Sequence, residues 1–152
     1  MVGSLQKATL WDCLHDGALS SAETIEPGRL RLTVEIEYLR ELLGAGGRGF
    51  VVTLEGLKRF ELRHYGPASE APVLSSDLTV IAGLKPEILS AENTASGVCI
   101  HCNLQSFHPR STDYGEIDLD YDNALIVVDD GRSFSIQELL ALSKRYWESP
   151  GQ

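Results

Sequence analysis

Leu30, Leu32, Val34, Ile36 and Tyr38 occupy every second position of one stretch, and Arg31, Thr33, Glu35 and Glu37 fill the positions between. Side chains of an extended chain alternate between two faces, so this stretch reads as a strand with one apolar and one charged side. Half-wetted strands belong to antiparallel sheets, because parallel sheets are covered on both faces. The pattern recurs along the chain. Phe50 to Leu54 is β-branched and aromatic, and Phe60, Leu62 and His64 alternate with Arg59, Glu61 and Arg63. Gly56 between them reads as a bulge or tight turn within one long bent strand. Val98, Ile100, Cys102 and Leu104 alternate with Cys99, His101 and Asn103. Ile117, Leu119 and Tyr121 alternate with acids, the parity slips at Asp122-Asn123, and an apolar run resumes from Leu125 to Val128.

The remaining segments carry weaker patterns. Ala8, Leu10 and Leu14, with Trp11, predict a first strand. It ends at His15-Asp16-Gly17, a hairpin signal, with Ala18 to Ile25 returning. Leu39 to Leu43 predicts one helical turn stopped by Gly44. Residues 66–76 read as loop, Leu78 to Ala82 as a short strand, Glu87 to Asn93 as a further segment opened by Pro86, Phe107 to Gly115 as loop, and Asp130-Gly131 as a turn. Only the C-terminus reads as helix. Ser135 and Glu138 form a capping box. Ile136, Leu139, Leu140, Ser143, Tyr146 and Trp147 then fall on one face, and Lys144 and Arg145 suit the negative end of the helix dipole. No internal repeat and no linker is visible. The fold class expected is therefore α+β, mostly β: an antiparallel sheet or open barrel of about 7–9 strands with one C-terminal helix over residues 135–147. At 152 residues, the chain is expected to form a single domain over 1–152. That length suffices for a core without metal or disulfide.

Charge and cysteine narrow the classes. Thirteen Lys and Arg against 22 Asp and Glu give a net charge of −9, which argues against a nucleic-acid partner. No apolar run approaches the ~18 residues of a membrane helix, and Met1 to Leu10 lacks a secretory pattern, so a soluble, cytoplasmic protein is expected. Three cysteines, an odd number, fit free thiols in a reducing compartment. The charge is uneven: seven acids and no base lie between Asp113 and Asp130, against seven bases and five acids between Arg29 and Arg63.

Three motifs carry chemistry when their context is right. Gly44, Gly46 and Gly49 match G-x-G-x-x-G, but the motif works only at the start of a helix, and the next segment, Phe50 to Leu54, reads as strand; no nucleotide is expected. Cys99-Ile100-His101-Cys102 contains C-x-x-C, which supplies two zinc ligands when it lies in a tight turn. On a strand Cys99 and Cys102 point to opposite faces. Cys102 then belongs to the core, and Cys99 and His101 share the wet face, where they would bind metal only with more distant partners; no metal or cofactor is assigned. His15-Asp16 reads as turn chemistry, and His64 and His108 have no sequence neighbour that nominates a role. No nucleophile elbow is present.

Glu116, Asp118, Asp120 and Asp122 alternate with Ile117, Leu119 and Tyr121, which places four carboxylates on one strand face about 7 Å apart. Such a stripe serves as a solvated face that resists aggregation, as an attraction for a basic protein, or as an oxygen-rich cation site. The EF-hand spacing is absent. The overall plan resembles that of small bacterial β-rich domains, including immunity proteins that neutralise toxins, and that likeness implies a protein partner. The function expected is a non-enzymatic protein-interaction module with an acidic recognition face at Glu116, Asp118, Asp120 and Asp122. The alternatives are a small-molecule or metal-binding β-barrel and an enzyme whose site is scattered in sequence.

Overall fold

A computed structural model describes residues 4–36, 49–65, 71–105, 112–128 and 133–148. In chain order the elements are α1 (Ser4–Cys13), β1 (Ala18–Glu26), β2 (Arg29–Glu35), β3 (Gly49–Glu55), β4 (Arg59–Tyr65), β5 (Val73–Ser75), α2 (Leu78–Gly83), β6 (Glu87–Asn93), β7 (Val98–Gln105), β8 (Thr112–Asp120), β9 (Asn123–Val128), β10 (Ser133–Phe134) and α3 (Ile136–Glu148). All strands join one antiparallel sheet in the order β10-β9-β3-β2-β1-β6-β7-β8-β4-β5. The class is the expected one, α+β and mostly β with a C-terminal helix. The alternating residues are inside: Leu30, Leu32, Val34 and Ile36 are buried, as are Phe50, Val52 and Leu54, and Ile117, Leu119 and Tyr121. Tyr38, the helical turn at Leu39 to Leu43 and the turn at Asp130-Gly131 lie outside the described residues, as do His108 and Gly44 to Arg48 of the glycine motif. Gly49 opens β3, so a strand does follow that motif.

Several weaker expectations are corrected. Ser4–Cys13 is a helix, not a strand. Ala8 and Trp11, and Leu10 and Leu14, are buried pairs three and four residues apart, a helical spacing that a short window does not separate from alternation. His15-Asp16-Gly17 turns from this helix into β1, with Asp16 at φ 68, so it closes no hairpin. Leu78–Gly83 is also helix: Asp77 caps it, its carboxylate accepting from Thr79 N and Val80 N. A three-residue strand, β5, lies inside the expected 66–76 loop. The 107–115 loop gives way to β8 at Thr112 because Tyr114 and Gly115 pair with β4 and β7. Among the described residues the sheet therefore has ten strands, beyond the range expected.

An internal repeat, invisible in the sequence, appears in the strand order. Exchanging β1 with β6, β2 with β7, β3 with β8, β4 with β9 and β5 with β10 returns the same order reversed. A short helix precedes the first strand of each half, α1 before β1 and α2 before β6. The fourth strand of each half is traded: β4 pairs with β8, and β9 pairs with β3. The chain 49–65 therefore runs along 112–128 as one antiparallel ladder, Phe50 opposite Val128 and Tyr65 opposite Tyr114. The register slips by one where both chains bend, at Gly56 and at Asp122. Gly56 is at φ +66, a conformation that glycine adopts without a Cβ penalty.

β1 and β6 meet only at Ala18 and Glu87 and then diverge. Helix α1 occupies the gap. Its Asp12 carboxylate accepts from Ala91 N at 2.9 Å, which satisfies a donor on the uncovered edge of β6. Trp11 Nε1 donates to Tyr121 Oη at 3.2 Å, and Lys7 Nζ to the Tyr121 carbonyl at 2.6 Å. The helix is thereby fixed to the bend between β8 and β9. Trp11 faces side chains of β1, β2, β4, β6, β7 and β8 around a void of only about 10 Å³, room for about one water. The sheet is thus curled about a filled interior.

Candidate functional site

The strand registers place polar residues of β4, β8, β7 and β6 in rows across the sheet's outer face. One row runs Glu61, Asp118, Cys99, Glu92; the next runs Arg63, Glu116, His101, Ser90; a third holds Tyr65, Tyr114 and Asn103. Parity does this directly, since their strand neighbours Leu62, Ile117 and Ile100 are buried. Glu116 is the hub. Its Oε1 accepts from Tyr65 Oη at 2.9 Å and faces Arg63 Nη2 at 3.3 Å. Its Oε2 accepts from Tyr114 Oη at 3.3 Å and faces His101 Nδ1 at 3.4 Å. Arg63 Nη1 reaches Asp118 Oδ2 at 2.8 Å, and Arg59 approaches the same carboxylate at 3.9 Å. His101 Nδ1 also pairs with Tyr114 Oη, its Nε2 lies 3.2 Å from Glu92 Oε1, and its ring stacks on that of Tyr114.

Half-burial gives these contacts weight. The side chains of Glu116 and Asp118 are 18% and 15% exposed, so their charges are less screened than on an open surface. Burial alone would lower the affinity of Arg63 for its proton, but the charges of Asp118 and Glu116 outweigh it and hold the guanidinium more firmly protonated than usual. The hydrogen bond to Glu116 raises the phenol of Tyr65. Burial, then the charge of Glu116, pushes Tyr114 up to about 12. Burial, then Asp118 and Glu116, pushes the Cys99 thiol up to about 11.

Of the four expected stripe residues, Glu116, Asp118 and Asp120 share a face of β8, whereas Asp122 lies beyond its end, where the register slips. Glu116 and Asp118 are held by cations and hydroxyls. Asp122 stands at the bend, 67% exposed, with Lys58 Nζ at 3.6 Å. Asp120 is half-buried, opposite Arg59 in register. The arginines that face the stripe come from β4, over fifty residues earlier. In sequence the basic 29–63 region and the acidic 113–130 region lie apart; the traded fourth strand brings them together. Cys99 is buried rather than on a wet surface, because Arg63 and its neighbours cover it. His64, silent in the sequence, donates through Nε2 to Asp113 Oδ2 at 2.6 Å on the inner face. The signal was the apolar parity that His64 shares with Phe60 and Leu62.

No family model matches the chain, and neither a curated protein nor a solved structure matches it. Among the described residues, no helix is long and apolar enough to cross a membrane.

Proposed function

We propose that this protein is a non-enzymatic protein-interaction module that presents the outer face of β4, β8, β7 and β6 to a basic partner. The observation that carries this reading is the Glu116 hub. It holds a half-buried set of carboxylates and two tyrosines in fixed positions, so little side-chain freedom is lost on contact. Tyrosine and arginine are the residue types that interfaces favour. The face remains acidic after pairing, because Arg59, Arg63 and Lys58 are outnumbered by Glu61, Glu92, Glu116, Asp118, Asp120 and Asp122. Small-molecule capture around Trp11 has less support, since the void beside that residue admits about one water.

The test starts from cross-linking in native lysate at low salt, followed by titration of the captured protein against wild type and an Asp120→Asn, Asp122→Asn variant. These two positions change the charge without touching the Glu116 hub. The expected result is slower association for the variant and for wild type at raised salt, with a smaller change in dissociation. An association rate indifferent to both would leave the stripe as a solvated face and remove the proposal.

A further inference from the structure

Glu92, Cys99 and His101 form a cluster on the same outer face, of which the interaction reading uses only the charge of Glu92. Register sets Glu92 of β6 opposite Cys99 of β7, with His101 two residues on and therefore on the same side. One carboxylate oxygen, the thiol sulfur and a ring nitrogen all lie within 4.8 Å of one another. Ligand atoms bound to one tetrahedral ion at roughly 2.0–2.3 Å stand under 4 Å apart, so small rotamer changes close the set.

We propose that Glu92, Cys99 and His101 bind one divalent transition metal of the zinc type, with the fourth position open to water. Three arguments support this assignment. The donor set is mixed oxygen, nitrogen and sulfur, which suits zinc or cobalt and excludes calcium and magnesium, ions that take oxygen alone. The two nitrogens of His101 are already divided. Nε2 faces Glu92 at 3.2 Å, while Nδ1 faces the Tyr114 hydroxyl and, at 3.4 Å, Glu116 Oε2. A metal ligand histidine is oriented in just this way, its second nitrogen donating to a carboxylate. Charge is compensated to within one unit: once the thiol of Cys99 has released its proton, Cys99, Glu92, Glu116 and Asp118 supply four negative charges against three positive ones from Arg63 and a dication, which leaves a net attraction for the ion. Arg63 Nη2 donates to Cys99 Sγ at 3.8 Å and also faces Glu116, while Nη1 pairs with Asp118, so the guanidinium neutralises the surroundings of the thiolate from the side away from Glu92. Access is from the Glu92 side, the most exposed of the three at 64%. C-x-x-C contributes only its first cysteine, since Cys102 is buried on the opposite face and donates to the Gly115 carbonyl.

Cobalt(II) is the direct probe, because a thiolate ligand gives it a near-ultraviolet charge-transfer band. Metal-free protein, kept reduced without added thiols, is titrated with cobalt chloride and then with zinc chloride. The expected result is a band that saturates at one cobalt per chain and is displaced by zinc. Cys99→Ser abolishes the band. His101→Gln and Glu92→Gln weaken binding by more than Glu116→Gln does, and Glu116→Gln weakens it by about 10–100-fold. Cys102→Ser leaves the band in place. Circular dichroism verifies that each variant is folded, and the wild-type titration stands even if one is not. A folded wild type without a saturable band, a band that survives Cys99→Ser in folded protein, or one lost in folded Cys102→Ser overturns the assignment.

Discussion

Gly56 and Asp122 face each other where the two long chains of the sheet bend, and a Cβ on Gly56 would lie 2.1 Å from Asp122 Oδ2 and 2.8 Å from Asp122 Cβ. The bend thus depends on the missing side chain in two ways, through contact and through the positive φ. Gly56→Ala is expected to lower stability by about 1–3 kcal/mol from backbone strain alone, with the steric clash added. Asp122→Ala in the same chain should recover only part of the loss, because rotating or trimming the carboxylate leaves φ unchanged. Urea denaturation of the two single variants and the double variant measures the division. Full recovery in the double variant would show that contact, not φ, is the constraint.

Arg63 holds two half-buried carboxylates at once. Arg63→Met is expected to destabilise the fold by roughly 2 kcal/mol, between the value of an exposed pair and that of a broken buried one. Arg63→Lys should recover less than half, because a single ammonium does not match the fork that reaches both Glu116 and Asp118. The check is thermal melting at low and high salt. A loss below ~0.5 kcal/mol for Arg63→Met would mean that the pairs are screened like ordinary surface ones.

Alkaline pH should weaken the fold before it reaches the basic side chains. Burial pushes Cys102 up to about 12, and Tyr121 and Cys13 up to about 12 and about 11. A raised thiol or phenol keeps its proton more tightly when folded than when unfolded. Its contribution is therefore complete below the unfolded value and is lost as pH climbs from about 9 toward the folded value. Melting temperature is expected to be flat from pH 7 to about 8.5 and to fall beyond it. The same burial predicts that Ellman's reagent labels Cys13 and Cys102 far more slowly in native than in unfolded protein.

The cap on α3 gives a local test. Glu138 N donates to Ser135 Oγ and Ser135 N to Glu138 Oε1, both at 3.1 Å. Ser135→Ala should cost about 1 kcal/mol, and Ser135→Asp should largely restore it, because aspartate caps equally well and carries the charge the helix start favours. Chemical denaturation distinguishes these outcomes.

The strands whose residues alternate cleanly were legible from residue pattern, because one buried face per strand leaves an unambiguous period of two. The capping box of α3 was legible for the same kind of reason: Ser135 and Glu138 act within one turn. What was lost depends on contacts distant in sequence. In α1, Trp11 is buried among strands that reach to β8, a hundred residues away, so the local pattern does not separate helix from strand. The acidic stripe was visible as Glu116, Asp118, Asp120 and Asp122, but its partner cations were not, because the pairing of β4 with β8 is a property of topology. Cys99 and His101 were placed correctly on one face. Glu92, their neighbour across the strand pair, had no signal of its own in a segment whose pairing partner was unknown.

The traded fourth strands also bear on how the chain is made. A nascent chain released from the ribosome through α2 already contains β4 and its short neighbour β5, yet β8, which pairs along the other edge of β4, has not been synthesised; nor has β9, which completes the edge of β3. Neither half therefore closes its sheet until the ladder between 49–65 and 112–128 forms. Synthesis at about 5–20 residues per second leaves Phe60 and Leu62 without their burial partners for several seconds. Completion of the fold is consequently a late, whole-chain event that depends on contacts of high sequence separation. During that interval the unpaired edge of β4 is the segment that a chaperone, or a second nascent copy, meets first.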